Sequence, residues 1–201
     1  LRHPIRQIRR LASTVGVAAL VKSVAGPLLD DELTALSRFL VNPEVPYIVV
    51  LGGAKVSDKL GVIENLLTEV DRLLIGGGMC FTFLRAQGYE VGGSLLEENQ
   101  VDTVRGFLDQ GTERRVEIVL PVDVVVAAEF KAGAASTVVD ANACPDDQMI
   151  LDIGPRSTAL YEKEVRECAT LVWNGPLGAF EIPPFDAGTM ALARTVGQLT
   201  G

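Results

Sequence analysis

The sequence predicts an α/β fold: a three-layer α/β/α, Rossmann-like domain built on a mostly parallel sheet. Short segments rich in valine, isoleucine and leucine alternate with segments of helical periodicity. Most of these short segments are apolar throughout, which is typical of strands buried on both faces of a parallel sheet. Several end directly in glycine, at the carboxyl ends of strands, where sheets of this kind bind ligands.

The first strand is predicted at residues 47–51, before a Gly-Gly turn at 52–53. A helix is expected to begin near Ser57, and its free N–H groups, together with Lys55 and Lys59, would favour an anion such as phosphate. Many α/β proteins carry the same strand, turn and helix with lysines that are merely solvated. This stretch alone therefore leaves a phosphate site and a plain structural turn equally open.

The same order of strand and glycine recurs later in the chain. Glycines at 76–78, 154 and 175 follow other predicted strands, so a cleft at one edge of the sheet is expected rather than isolated tight turns. Residues 127–148 are rich in alanine, aspartate and glycine and are expected to form a surface excursion. The further predicted strands are residues 72–75, 116–126, 149–153 and 169–173, and the predicted helices are residues 60–70, 79–87, 94–110, 157–168 and 188–199.

Two of the helix starts carry recognisable signals. Ser94 and Glu97 have the spacing of a capping box at the start of the helix predicted for residues 94–110. Pro27, followed by three acidic residues, opens a helix that Pro43 would end. This second helix, residues 26–42, is expected to lead into the domain.

Composition excludes several classes of protein. The chain has 201 residues, 48% of them hydrophobic and 22% charged, which is typical of a globular domain. Its net charge is −8, and the first 25 residues contain basic but no acidic side chains, so the body of the protein is acidic and is not expected to bind nucleic acid. No apolar run suits a membrane span or a signal peptide, so we expect a soluble, cytoplasmic protein without membrane partners.

The remaining chemical residues are sparse. Cys80, Cys144 and Cys168 are widely spaced and odd in number, which favours reduced thiols over a disulfide framework or a zinc site. His3 is the only histidine and is expected to be a surface residue. The chain has neither a Walker A motif nor G-x-G-x-x-G, because Met79 follows the three glycines at 76–78. A dinucleotide-binding oxidoreductase stays open as a less favoured alternative.

Five strings together resemble the phosphoglycerate kinase family. They are LGGAKVSDK at 51–59, LLIGGGM at 73–79, LPVD at 120–123, LDIGP at 151–155 and VWNGPLGAFE at 172–181. They occur in the order and spacing of that family, and the resemblance covers about residues 12–201. It implies the nucleotide-binding half of a glycolytic kinase, usually monomeric, that moves a phosphoryl group between 1,3-bisphosphoglycerate and ADP, or in reverse between ATP and 3-phosphoglycerate, with Mg²⁺.

The resemblance also implies the site residues. Lys55 and Lys59 match the catalytic lysines that engage the transferring phosphoryl group and the nucleotide phosphates. Arg9 falls at an arginine of the family that binds the acid substrate. The other implied nucleotide-binding residues are Gly53 and Ala54 along the nucleotide, Gly77, Gly78 and Leu151 at the adenine, Asn174, Gly175, Pro176 and Gly178 in a loop over base and ribose, and Glu181 at the ribose hydroxyls.

The implied reaction agrees with the lack of histidine after residue 3. Transfer between an acyl phosphate and ADP joins oxygens that are already anionic, so it needs no general base. Positioning and stabilisation of negative charge suffice, and lysines and backbone N–H groups can provide both.

The resemblance further implies a domain organisation. Residues 1–25 would be a poorly matching N-terminal or interdomain segment, and residues 26–201 the nucleotide-binding domain, with 26–42 as the interdomain helix. Residues 1–7 resemble nothing in the family, and the stretch at 8–14 lacks both histidines of the family pattern, so we hypothesise a foreign or out-of-frame junction over about the first ten residues. Ile150 also departs from the family, which has glycine at this position, and is expected to narrow the adenine pocket.

Two parts of the family pattern are missing from the sequence. One is the basic patch that binds the acid substrate, and the other is the G-G-G-D-[ST] turn with the magnesium-linked aspartate. We therefore expect a truncated domain with no metal ligand of its own, an exposed sheet edge with marginal stability or self-association, and a chain that is catalytically incompetent alone. A non-catalytic nucleotide-binding fragment or interaction module remains the alternative function.

Overall fold

The computed structural model describes residues 20–21, 24, 26–32, 34 and 43–200. The chain divides into two compact units, residues 1–43 and residues 44–201. In the first unit, residues 27–32 and 34 are helical, and the Asp30 amide donates to the Gly26 carbonyl at 2.9 Å. This part agrees with the helix predicted at 26–42. The rest of that helix, and the predictions for His3 and Arg9, lie outside the described residues.

The second unit is built on a four-stranded parallel sheet. Its strands are β1 (Tyr47–Leu51), β2 (Arg72–Ile75), β3 (Glu117–Val119) and β7 (Thr170–Asn174), in the order β3-β2-β1-β7. Leu51 pairs with Ile75 on one side and with Asn174 on the other. The carboxyl ends of three strands are therefore level, and the glycines that follow them meet at one edge.

Helices cover both faces of this sheet. They are α1 (Leu60–Leu66), α2 (Met79–Ala86), α3 (Val101–Arg114), α4 (Pro155–Glu167) and α5 (Ala187–Leu199). Val49 of β1 packs in a core with α1, α2 and α3, whereas its neighbour Val50 packs in a second core with α4 and α5. Successive side chains of a strand point to opposite faces, so this division confirms the predicted three-layer fold.

A second, antiparallel sheet corrects one part of the prediction. Strands β4 (Asp123–Ala127), β5 (Ser136–Asp140) and β6 (Met149–Ile153) form it in the order β5-β4-β6. The placement of β6 in the parallel sheet was wrong, as was the description of residues 127–148 as a plain excursion. The extended segment 116–126 is interrupted around Pro121, which cannot donate to a strand ladder, so its second half pairs elsewhere.

Gly154 consequently does not belong to the edge of the parallel sheet. It follows β6, and its amide donates to the Asp123 carbonyl at 2.8 Å. A β-carbon at Gly154 would lie 2.3 Å from the carboxyl carbon of Asp123. This glycine makes room for a buried aspartate rather than for a ligand.

The predicted capping box is also wrong. Helix α3 begins at Val101, after a 3₁₀ turn at Glu98–Gln100. The Ser94 hydroxyl accepts from the Ile150 amide at 2.8 Å, and the Glu97 carboxylate binds a different part of the chain. The spacing fits a capping box, but tertiary partners take both side chains.

Candidate functional site

The glycine turns at the level strand ends are tied closely together. The Gly52 amide donates to the Asn174 carbonyl at 2.9 Å, and the Gly53 amide donates to the Pro176 carbonyl at 3.0 Å. A β-carbon on Gly52 would lie 2.0 Å from the Pro176 oxygen, and one on Gly77 would lie 2.6 Å from the Gly53 nitrogen. Only glycine allows these backbones to approach, so the turns form one continuous backbone surface.

Lys59 fixes its ammonium group at this surface. Its Nζ donates to the Gly52 carbonyl at 2.7 Å, to the Asn174 carbonyl at 3.3 Å and to the Asn174 side-chain oxygen. Partial burial lowers the pKa of Lys59, and the nearby Asp58 charge opposes this effect. Nζ lies 3.7 Å from where a β-carbon of Gly53 would be. The positive charge is therefore held next to the Gly53 backbone.

Lys55 is arranged differently. It lies in the loop before the 3₁₀ turn at Ser57–Lys59, is exposed, and makes no hydrogen bond to any residue that the structure describes. The helical turn begins at Ser57, as predicted, so Lys55 precedes it and Lys59 is its last residue. One lysine is thus fixed by the fold, and the other is free to follow a ligand.

The Glu97 side chain accepts hydrogen bonds from the N–H groups at the start of the helical turn, which the sequence analysis assigned to a bound anion. Its carboxylate accepts from the Val56 amide at 2.6 Å, from the Ser57 amide at 3.1 Å and from the Ser57 hydroxyl at 2.5 Å. Burial raises the pKa of Glu97, but these hydrogen bonds and the Lys55 charge outweigh it, so the pKa is lowered overall. The chain itself thus provides the anion at this turn, and the ligand must be sought at the glycine surface.

A cavity of about 540 Å³ opens beside the glycine surface, a size typical of small-molecule sites. Seven of the residues implied by the family resemblance line it: Gly53, Ala54, Gly77, Gly78, Leu151, Pro176 and Gly178. The residues that sequence reasoning did not assign to the site are Phe81, Gly93, Ser94, Leu95, Phe130, Met149 and Ala179. Most of the added side chains are apolar, as is common in the lining of small-molecule pockets. Ile150 also lines the cavity, as expected from its position beside Leu151.

The walls of the cavity are fixed by backbone hydrogen bonds. The Gly93 amide donates to the Gln148 carbonyl at 2.8 Å and attaches one loop to the start of β6. On the other side, the Ala179 amide donates to the Leu151 carbonyl at 2.8 Å. Strand β6, although outside the parallel sheet, therefore carries both walls.

The other implied residues lie around the cavity rather than in it. Asn174 binds Lys59, and Gly175 packs against Gly52, where its β-carbon would be 2.5 Å from the carbonyl oxygen. Glu181 is exposed in a turn, without a hydrogen bond to the described part of the chain. The sequence analysis did not assign Phe130 to the site, although an aromatic residue in a stretch of small and polar residues is a usable signal. In the structure 59% of Phe130 is exposed.

Three further findings on the described residues concern metal ligands, cysteines and membrane spans. Within residues 43–200 and the shorter described segments, no group of three His, Cys, Asp or Glu side chains could hold a metal ion. The three cysteines are all free thiols. None of the helices described is both long enough and apolar enough to span a membrane.

The comparisons with known proteins agree on one family. The family model for phosphoglycerate kinase matches residues 7–201. Phosphoglycerate kinases of Bifidobacterium longum and Thermus thermophilus are 54% identical over 195 residues and 51% identical over 193 residues, in each case 96% of this chain. The chain covers 49% and 50% of these two proteins, so it spans about half the length of the curated relatives it matches.

Solved structures give the same result. The phosphoglycerate kinase of Coxiella burnetii superposes with a TM-score of 0.86 at 47% identity, over 91% of this chain and 47% of that protein. The enzyme of Pyrococcus horikoshii OT3 superposes with a TM-score of 0.77 at 30% identity, over 92% of this chain and 47% of that protein. With a family match over nearly the whole sequence, this chain belongs to the phosphoglycerate kinase family.

Proposed function

We propose that this chain provides the nucleotide site of a phosphoglycerate kinase, which transfers a phosphoryl group between 1,3-bisphosphoglycerate and ADP in glycolysis. Family membership supports the reaction. The observation that carries the proposal is the Lys59 ammonium held between Gly52 and Asn174, beside a glycine-edged apolar cavity. A fixed cation next to an apolar pocket suits a ligand with a flat base and a phosphate tail.

The cavity is proposed to take the adenine. Gly77, Gly78 and Leu151 would contact the base, with apolar side chains such as Phe81 above and below. The loop of Asn174, Gly175, Pro176 and Gly178 would cover base and ribose. Glu181, exposed near the end of that loop, would accept from the ribose hydroxyls.

The phosphates would extend from the cavity along Gly53 and Ala54 towards the two lysines. Three hydrogen bonds already hold the Lys59 charge beside this path, and a direct hydrogen bond to a phosphate oxygen would replace one of them. Lys55 has no such bonds and could follow the transferring phosphoryl group. Because both reacting oxygens are anionic, these residues need only position the groups and stabilise charge.

Magnesium would arrive with the nucleotide. The described residues do not form a carboxylate cage for it, and Mg²⁺ commonly binds through substrate phosphates with few protein ligands. We assign 3-phosphoglycerate and 1,3-bisphosphoglycerate to the half of the relatives that this chain does not cover, with Arg9 as the one contact from this chain. Residues 26–42 would link the two halves, and the three free thiols support a cytoplasmic setting.

Calorimetry with Mg-ADP and with adenosine tests the proposal. Lys55→Ala removes an exposed side chain without hydrogen bonds, so the fold is expected to stay intact. We expect Mg-ADP to bind about tenfold more weakly to this variant, the loss of roughly one charge-assisted hydrogen bond, with adenosine unaffected. Lys163→Ala, an exposed lysine of α4, is the matched control and should bind both ligands like the wild type.

The proposal fails in either of two ways. If the wild type binds neither ligand at millimolar concentration, the cavity is not a nucleotide site in this chain and the interaction-module alternative is favoured. If Lys55→Ala and Lys163→Ala weaken Mg-ADP binding equally, the phosphates do not lie along the glycine turn.

A further inference from the structure

Asp152 is a buried carboxylate directly behind the wall of the cavity. It lies in β6 next to the cavity residue Leu151, and only 2% of it is exposed. No ion pair reaches it from the described residues. Its oxygens accept instead from two backbone amides, Gly188 and Ile153, both at 2.9 Å. A buried charge without a cation is costly for a fold, so its presence calls for an explanation.

Two glycines make room for this carboxylate. A β-carbon at Gly178 would lie 2.2 Å from Asp152 Oδ1, and one at Gly188 would lie 2.8 Å from the same atom. Gly178 lines the cavity, and Gly188 is the second residue of α5. The Asp152 side chain therefore packs against the cavity wall on one side and the first turn of α5 on the other.

The charge state of this side chain changes near neutral pH. Burial raises the pKa of Asp152 to about 7, with a smaller contribution from the charge of Asp186; the two backbone hydrogen bonds act in the opposite direction. Burial, and to a smaller extent the charge of Asp152, raise the pKa of the Cys80 thiol far above neutrality. Asp152 is therefore about half ionised near pH 7, whereas the Cys80 thiol stays protonated.

We infer that the ionised Asp152 carboxylate positions the Gly178–Ala179 wall of the cavity against helix α5, and that protonation of this side chain releases the wall and weakens nucleotide binding. The inference rests on the proposed function of the cavity. Both oxygens of the ionised carboxylate accept a hydrogen bond, one from the Gly188 amide and one from the Ile153 amide. In the protonated form one oxygen carries a hydrogen of its own, which faces N–H donors and no acceptor. The wall residue Ala179, bonded to the neighbouring Leu151 carbonyl, would move with it.

Adenosine is the probe, because it carries no phosphate that titrates in this range. If only the ionised form binds adenosine, the fraction of protein able to bind rises from about one eleventh at pH 6 to about ten elevenths at pH 8, so adenosine should bind about tenfold more tightly at pH 8. Asp152→Asn should bind weakly and with no such pH dependence. Asp186→Asn removes the neighbouring charge and should shift the midpoint to lower pH.

Thermal stability separates positioning from a general structural role. In the wild type the raised pKa of Asp152 means that stability is lost as pH rises towards 7, because the unfolded carboxyl ionises first. Asp152→Asn avoids this loss, so it should melt no lower than the wild type at pH 8 while binding adenosine more weakly. A residue that merely supports the fold would lose binding and stability together.

Hydrogen exchange at pH 8 tests the wall without any ligand. In Asp152→Asn the Ala179 and Gly188 amides should exchange faster than in the wild type, while Gly52 and Gly77 exchange as before. Adenosine binding in the wild type that does not change between pH 6 and pH 8, or a pH dependence that persists in Asp152→Asn, overturns the inference and leaves the nucleotide site standing. A wild type that binds neither adenosine nor Mg-ADP at any pH overturns the proposed function as well.

Discussion

Lys59 and Glu97 hold the glycine-rich turn from opposite ends. Lys59 joins the turn to the Asn174 end of β7, and Glu97 joins it to the connection before α3. Both contacts use charged groups on backbone atoms, which makes them stronger than neutral hydrogen bonds. The turn is therefore ordered before a ligand arrives, and little of the binding free energy is needed to order it.

Replacing Glu97 with glutamine tests the second of these contacts. A glutamine retains one acceptor oxygen in place of the carboxylate, so we expect unfolding to be easier by about 1 kcal/mol after discounting for solvent screening. Thermal melts at pH 7 measure the change. Glu98→Gln is the control: the Glu98 side chain is exposed and makes no hydrogen bond to the described residues, so this variant should melt like the wild type.

The Glu97 effect should depend on pH in a defined direction. Its pKa is lowered from 4.5 in the folded protein, so the stabilisation is present above about pH 4.5 and is lost as pH falls through the folded value. Wild type and Glu97→Gln should therefore melt apart at pH 7 and converge in acid. Equal melting at pH 7 would show that the contact contributes nothing.

These residues also show how far sequence can predict the site. The glycine turns follow strands β1, β2 and β7 directly, and Lys59 ends the helical turn after β1, so their convergence could be predicted from the topology of a parallel sheet. The contact between Glu97 and the Val56 amide could not be predicted from the sequence, because the two residues are 41 positions apart. A local spacing rule favoured the capping box, and only tertiary structure decides between the two.

At the scale of elements, strand ends and turns do more than the helices to shape the site. Strands β1 and β7 lie side by side, and the turns after them touch through Gly52 and Pro176. Strands β4 to β6 were harder to predict, because apolar, β-branched segments indicate a strand but not its partner or direction. That is why β6 was placed in the wrong sheet, although its position along the chain was right.

A pair of glycine-to-alanine changes tests the contact between strand ends. Gly52→Ala places a β-carbon 2.0 Å from the Pro176 oxygen, so the two turns must separate, and we expect a loss of about 1–3 kcal/mol in stability together with loss of adenosine binding. Gly61→Ala makes the same change in α1, where nothing lies within 4 Å of the new atom. It should stabilise the protein by about 0.5–1 kcal/mol and leave binding unchanged. Melting curves and calorimetry report both, and parallel effects in the two variants would contradict this account.

At the scale of the whole second unit, a buried polar cluster around Asp123 is one of the contacts that join the two sheets. Asp123 begins β4, and its carboxylate accepts from the Ser157 amide at 2.7 Å, the Ser157 hydroxyl at 2.6 Å and the Arg156 amide at 3.0 Å. These residues form the first turn of α4, which packs on the parallel sheet. The carboxylate thus holds the antiparallel sheet to a helix of the other layer, and the cavity lies between β6 and the parallel strand ends.

Asp123→Asn should therefore weaken the whole unit rather than one loop. Only 1% of the Asp123 side chain is exposed. Burial raises the pKa of Asp123, but the hydrogen bonds from Ser157 and Arg156 outweigh burial, so the pKa is lowered overall. The stabilisation by this carboxylate is therefore present above about pH 3.8 and is lost in acid. An asparagine cannot accept all of these bonds, and we expect a loss of about 2–3 kcal/mol, or roughly 5–10 °C in melting temperature at pH 7. Asp140→Asn, whose exposed carboxylate also pairs with Arg156, is the control and should change melting by far less. If Asp123 supplies much of the coupling between the two sheets, strands β4 to β6 should lose amide protection before the parallel sheet in Asp123→Asn, and adenosine affinity should fall with them, because β6 carries both cavity walls. Uniform protection with full affinity would show that apolar packing alone holds the sheets together.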